Sequence, residues 1–314
     1  PPYHVAGFLG PVMLIVARLL QGFSAGGEMG SASAFLIEYA PPGSRAFYTS
    51  WIQSSIALNI VLGTLIGAVA TILLTHDQLY SWGWRIPFLF GVIIGPVGFY
   101  IRGQIEESPR GPQHEARSAS PFIEVWKAFP RQTFASFALV SLWTTCTYVY
   151  MHYMPTYVVT ELHQPQKLAF LSVTVGGLVF MVCAPVVGWL SDRWGHRRFL
   201  MYSAAVIFVT AYPMFSYILR TPTLAALTVF SVFAGVFSAC YTGPLLAALA
   251  ELFPSRVLST GISVSYNLSV TVFGGFAAFF ITLMISLTHS SLSPAFYMMF
   301  AAALSFVGSF AVRS

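Results

Sequence analysis

Charge is what this sequence has least of. Of 314 residues, 15 are Lys or Arg and 10 are Asp or Glu, so charged side chains make up 8%, where a soluble domain carries about 25%. So few polar groups cannot cover a water-exposed surface, which excludes a soluble globular fold. Cysteine is scarce too. Cys146, Cys183 and Cys240 lie in apolar segments, are odd in number and show no CxxC spacing, which leaves no disulfide framework and no zinc site. No HExxH is present, so a membrane-embedded metalloenzyme is not expected; no metal and no cofactor are expected either.

What the chain has instead is apolar length. Apolar residues make up 56%, with 25 glycines besides, and the mean hydropathy is +0.73. A membrane β-barrel would show ten-residue alternation rather than long apolar runs. The class is therefore all-α and polytopic, with lipid as the solvent. The net charge of +5 does not point to nucleic acid, because the basic residues are dispersed over short loops, the pattern of membrane topology.

A span needs about 20 apolar residues. Such segments fall at about 5–38, 47–74, 86–101, 132–159, 167–190, 199–219, 223–250, 261–288 and 294–312, separated by turn signals such as Pro41-Pro42-Gly43 and Pro254-Ser255. Nine helices are expected. Loops on one side hold Arg45, Arg102, Arg110, Arg117, Lys127, Arg131, Arg193, Arg197, Arg198, Arg256 and Arg313; the other side holds Arg85, Lys167 and Arg220. That asymmetry predicts a cytoplasmic location for the first set, an outside N-terminus and a cytoplasmic C-terminus.

The longest separator, 102–131, is the one stretch of soluble-like composition and reads as a cytoplasmic linker. It divides an N-terminal remainder of three helices (1–101) from a six-helix bundle (132–314). The chain opens on Pro1-Pro2-Tyr3 rather than Met, and a preceding N-terminal part is expected. Glu38-Tyr39-Ala40-Pro41 after the first span resembles Glu251-Leu252-Phe253-Pro254 after the seventh, each followed by Arg, which suggests repeated halves.

Two motifs carry a family resemblance. Gly188-Trp189-Leu190-Ser191-Asp192-Arg193-Trp194-Gly195-His196-Arg197-Arg198 resembles the G-x-L-S-D-R-x-G-R-R loop of the major facilitator superfamily, with His196 where that pattern usually has Arg. Arg18-Leu19-Leu20-Gln21-Gly22-Phe23-Ser24-Ala25-Gly26-Gly27-Glu28 resembles the R-x-x-Q-G motif of that superfamily's fourth helix, in wording nearest the metabolite:proton symporters for citrate, 2-oxoglutarate, shikimate and proline/betaine. Gly83-Trp84-Arg85-Ile86-Pro87-Phe88, Glu106-Glu107-Ser108-Pro109, and Tyr266-Asn267 with Phe273-Gly274-Gly275 are similar too, and Phe47-Tyr48-Thr49-Ser50-Trp51 favours the citrate branch.

The resemblance implies a two-bundle fold with family helices four to twelve present. It further implies proton-coupled uptake of a small organic acid, a tri- or dicarboxylate such as citrate, by a monomer in the bacterial inner membrane. The expected partners are that acid, protons and the bilayer, with no nucleic acid. Shikimate, proline or betaine stay open as substrates. An efflux antiporter would carry Pro in the fifth family helix, where this chain has Gly63-Thr64-Leu65-Ile66-Gly67. A non-transporting sensor would keep the helices and lose coupling groups.

Polar groups inside apolar spans mark candidate pathways. Arg18 lies mid-helix, where a charge costs about 2.5 to 3.5 kcal/mol on insertion scales. It either takes part in proton coupling or anion attraction, or pairs structurally with another helix. Glu28 is ten residues on, about 15 Å along the axis, too far for a direct pair; it is either a protonatable carboxylate at a packed interface or a group near the water line. Ser141, Thr145, Tyr148 and His152 recur at helical spacing on one face, as do Ser263, Asn267 and Thr271 with Tyr266 beside them, and Gln53, Ser55 and Asn59 offer similar donors. Each stripe either meets substrate or makes interhelical hydrogen bonds. In the loop motif, Asp192 can pair with basic groups or a helix N-terminus in one conformation and release them in another, with Gly188, Arg193, Gly195, Arg197 and Arg198 completing it. Glu38 and Glu251 read as gate or surface pairs.

Overall fold

The structure, a computed structural model, describes residues 7–104 and 121–312. No strand occurs among them. The nine expected spans appear as helices: α1 (Leu9–Tyr39), α2 (Arg45–Leu73), α3 (Ile86–Gln104), α4 (Pro130–Thr160), α5 (Gln166–Trp194), α6 (His196–Arg220), α7 (Leu224–Ala250), α8 (Ser255–Thr288) and α9 (Ser293–Ala311). Helices α2 and α4 to α9, seven among the described residues, are long and apolar enough to cross a membrane. At 1.5 Å per residue the 29 residues of α2 or α5 run about 43 Å, past a hydrocarbon core of about 30 Å. Their ends therefore reach water or tilt.

Helices α4, α5, α6, α7 and α9 close into a ring, with α8 packed against it. Helix α5 packs on α7, α7 on α6, α6 on α9, α9 on α4, and the Met154–Thr160 end of α4 on α5, while α8 lies against α4 and approaches α1, and α2 lies along α5 and α7. The ring's centre is apolar and aromatic, with Tyr157, Phe215, Phe230 and Tyr241 fully buried. Its outside carries Tyr202, Val209, Phe279 and Phe300, each at least 60% exposed. An apolar exterior of that kind suits acyl chains and would not be stable in water.

Small residues set the seam between α2 and the ring. A Cβ at Gly188 would fall 2.6 Å from the Ser50 hydroxyl and 2.7 Å from the Ala46 carbonyl, and one at Gly177 would fall 2.8 Å from Val61. The Ser54 hydroxyl donates to the Met181 carbonyl at 2.8 Å, and Thr64 and Thr174 share a hydrogen bond at 2.8 Å. Backbones approach this closely only where side chains are absent or tiny, and in lipid that close packing replaces the hydrophobic effect as the source of association. Gly30 plays the same part between α1 and α8, against Ser263 and Ser259.

Two spans that read as unbroken helices are not. In α4, Cys146–Tyr153 forms a π-helical stretch, and in α8 so does Val270–Gly275. Pro155 explains the first, since it has no N–H to give the carbonyl one turn back and the wider turn absorbs the mismatch. Gly274 and Gly275 explain the second, as glycines that leave the backbone little held. The two stretches face each other: a Cβ at Gly274 would lie 2.7 Å from the Tyr148 ring.

Gly188→Val should force α2 off α5, at the cost of about 1 to 3 kcal/mol typical of overpacking. A melting point in detergent several degrees below wild type is expected; an unchanged one would mean the seam is looser than described.

Candidate functional site

The loop motif makes the first site. Helix α2 starts at Arg45, and its N-cap residue Ser44 supplies no side-chain cap. The cap comes from Asp192 instead, whose two carboxylate oxygens accept the backbone N–H groups of Ala46 and Phe47, each at 2.9 Å. A helix N-terminus leaves such donors unpaired and carries partial positive charge, so a carboxylate there is favoured twice over. Of the two partners expected for Asp192, a basic group or a helix end, the helix end is therefore occupied. Arg193 stacks on the Trp189 ring at 3.8 Å and Arg197 lies 5.5 Å from the Phe310 ring.

Gly195 has φ +93°, a backbone conformation that side chains strongly disfavour. Here it lets α6 begin one residue after α5 ends. That turn carries His196 back beneath Asp192. His196 Nε2 lies 3.3 Å from Asp192 Oδ1 and Nδ1 lies 2.8 Å from Glu251 Oε1. Only the imidazolium can donate from both nitrogens at once. Burial by itself would lower the His196 pKa, but the hydrogen bonds and negative charges of Asp192 and Glu251 outweigh it and raise it to about 9. The departure from Arg in the motif thus keeps its positive charge near neutral pH. The link from His196 to Glu251, at the end of α7, had no signal in the sequence beyond that departure and the Glu-Pro-Arg echo.

The second site lies where the two π-helical stretches meet. Tyr148 and His152 stack, with ring centroids 5.1 Å apart, and His152 Nδ1 lies 3.1 Å from the Thr147 carbonyl. Trp143 meets Tyr266 at 5.0 Å. Asn267 donates to the Ser263 carbonyl at 2.7 Å. Tyr148, Tyr266 and Asn267 are half-buried and His152 is exposed, so these four border open space.

The polar stripe expected along α4 is corrected by this geometry. Ser141 and Thr145 are fully buried, whereas His152 is not, because the wider turn rotates everything after Cys146 out of phase. The donors on α2 differ in burial: Gln53 is fully buried, while Ser55 and Asn59 are exposed. Both amide atoms of Gln53 lack a hydrogen-bond partner among the described residues, as do the hydroxyls of Thr145 and Thr242. A buried polar group without a partner costs about 1 to 3 kcal/mol, so each of these is a position where a water or a polar ligand would be held. Glu28 is exposed on α1. The side chain of Arg18 lies outside the described residues, as do Glu106 and Glu107.

Gly22-Phe23-Ser24-Ala25-Gly26 has the GxSxG spacing of a hydrolase nucleophile elbow. That elbow requires a strand-to-helix turn; these residues sit inside the continuous helix α1.

Residues 5–269 match the Major Facilitator Superfamily. The chain belongs to that superfamily. It is accordingly a multi-pass membrane transporter and not an enzyme. A citrate-proton symporter of Salmonella typhi is 34% identical over 304 residues, covering 96% of this chain and 70% of that protein. A proline/betaine transporter of Escherichia coli K12 is 29% identical, covering 98% of this chain and 63% of that one. Among solved structures, a double-tryptophan XylE mutant superposes with a TM-score of 0.60 at 16% identity, over 87% of this chain and 64% of that one; at that identity the likeness concerns the fold. The chain thus spans 63 to 70% of the length of these superfamily members.

A group whose folded-state pKa is raised contributes stability that is full below its unfolded value and is lost as pH rises through the folded one. For His196 the window runs from about 6.5 to about 9. The melting-point difference between wild type and His196→Gln should shrink as pH rises through 9, and His196→Arg should hold its advantage beyond it. A difference independent of pH would show that His196 is not protonated between Asp192 and Glu251.

Proposed function

We propose that this chain forms most of a proton-coupled importer of a small organic acid, with a di- or tricarboxylate such as citrate as substrate. It works by alternating access in the bacterial inner membrane. Residues 1–101 belong to one bundle, 102–131 to a linker and 132–314 to the other bundle, and the motif-bearing loops are cytoplasmic. The observation that supports this best is the Asp192 cap, which ties the ring to the N-terminus of α2 across the boundary between the proposed bundles. A bond of that kind is cheap to break in water and specific in geometry, as an alternating contact must be.

In this reading Tyr148, His152, Tyr266 and Asn267 present hydroxyl, imidazole and amide donors to the substrate, while Gln53 faces it from α2. No Lys or Arg lies mid-span in α4 to α9, so the charge opposing a carboxylate comes from Arg18 in α1. Glu28, exposed on the same helix, and His152 are the groups able to pass a proton. Asn59 serves the α2 surface away from α5. Identity to the proline/betaine transporters favours a second reading in which the substrate is a zwitterion.

Labelled citrate should enter vesicles bearing the full-length protein when an inward proton gradient is imposed, and a protonophore should abolish the uptake. In the same assay His152→Ala and Asn267→Ala should raise the half-saturating citrate concentration several-fold with expression unchanged. Betaine uptake in place of citrate would select the second reading; gradient-independent flux would contradict proton coupling.

A further inference from the structure

A long groove runs between α6 and α7 on the outside of the ring. Its first part has a volume of about 620 Å³ and is lined by Trp194, Arg198, Tyr202, Val206, Phe237 and Cys240, among others. A second part of about 270 Å³, between Pro213, Tyr217 and Phe233, shares Phe237 with the first, so the two are continuous. Along α6, from Arg198 to Val206, the first part covers eight helical steps, about 12 Å. That is close to the depth of one leaflet of a hydrocarbon core about 30 Å thick.

The mouth of the groove is chemically unlike its depth. Arg198 is exposed at the mouth and makes no ion pair among the described residues. Arg197, the residue before it, does not line the groove and lies over the Phe310 ring instead. Of the acidic groups at this end, Asp192 and Glu251 are both engaged by His196, Asp192 also caps α2, and Glu124 pairs with Arg256. Trp194 and Tyr202, 62% and 70% exposed, flank the mouth as interfacial aromatics do at headgroup depth. Below them the lining is apolar except for Ser203 and the Cys240 thiol.

We propose that this groove binds one anionic phospholipid of the leaflet facing the loop motif, with its phosphate on Arg198 and an acyl chain along Val206 and Phe237. A basic mouth over a leaflet-deep apolar channel is complementary to a charged headgroup above a hydrocarbon tail, and a soluble anion would leave the channel unused. Which leaflet this is follows the topology proposed above; the binding itself does not depend on transport. Because Arg198 lies two residues after His196, such a lipid touches the segment that holds Asp192.

The test is native mass spectrometry of the full-length protein released from bilayers containing equal phosphatidylglycerol and phosphatidylcholine. Wild type should retain one phosphatidylglycerol in several-fold preference to phosphatidylcholine. Arg198→Gln should remove most of that preference, and Val206→Trp, which fills the channel, should lower retention of both lipids at an unchanged melting point. Millimolar inorganic phosphate should not displace the lipid. Equal retention of the two lipids by wild type, or a preference untouched by Arg198→Gln, would overturn the proposal. So would a photoreactive side chain at Val206 that cross-links to polypeptide instead of lipid.

Discussion

The carboxylate of Asp192 on the N-terminus of α2 is the contact around which the rest is arranged. An α-helix cannot satisfy its own first amides, and α2 receives no cap from Ser44. The missing acceptor arrives from a residue 145 positions away. A local deficit in one helix has thereby become a tie between two parts of the molecule. The small-residue seam along Gly188, Gly177 and Ser54 brings α2 near enough for that tie to form. His196 and Glu251 then hold the carboxylate in place from the ring side.

The same economy governs the interior. Lipid gives the helices no hydrophobic reason to associate, so packing is made by glycine, alanine and serine faces, and polar groups are kept inside the ring. Most of those hydroxyls bond to the carbonyl three or four residues back in their own helix, as Ser141 and Thr133 do. Others, among them Gln53, Ser136, Thr145, Ser238 and Thr242, find no partner among the described residues. The two π-helical stretches open the helices beside Tyr148 and Gly274, which places aromatic rings and an imidazole at the edge of that interior rather than within it.

Much of this was legible in the residues. Composition gave the solvent, apolar run length gave the spans to within a few residues, and the loop motif singled out Asp192 and Gly195 for roles in which only a carboxylate and a glycine serve. Phase was not legible. Helical periodicity assumes 100° per residue, and the π-helical stretch after Thr145 breaks it, so Ser141 and His152, expected on one face, part company. Partner choice was not legible either: a sequence shows that Asp192 needs a positive group but not that two backbone amides lie nearer than the arginines beside it. The buried state of Gln53 against the exposed Asn59, only six residues on, depends on which side of α2 the ring occupies, and that is a tertiary fact.

The central claim is that Asp192 holds α2 against the loop between α5 and α6. Spin labels at Trp51→Cys and Trp194→Cys, both on exposed positions, would report that distance by double electron-electron resonance in the full-length protein with its native cysteines replaced. A narrow, short distance in wild type and an added longer population in Asp192→Asn are the expected result. Identical distributions in the two proteins would contradict the account.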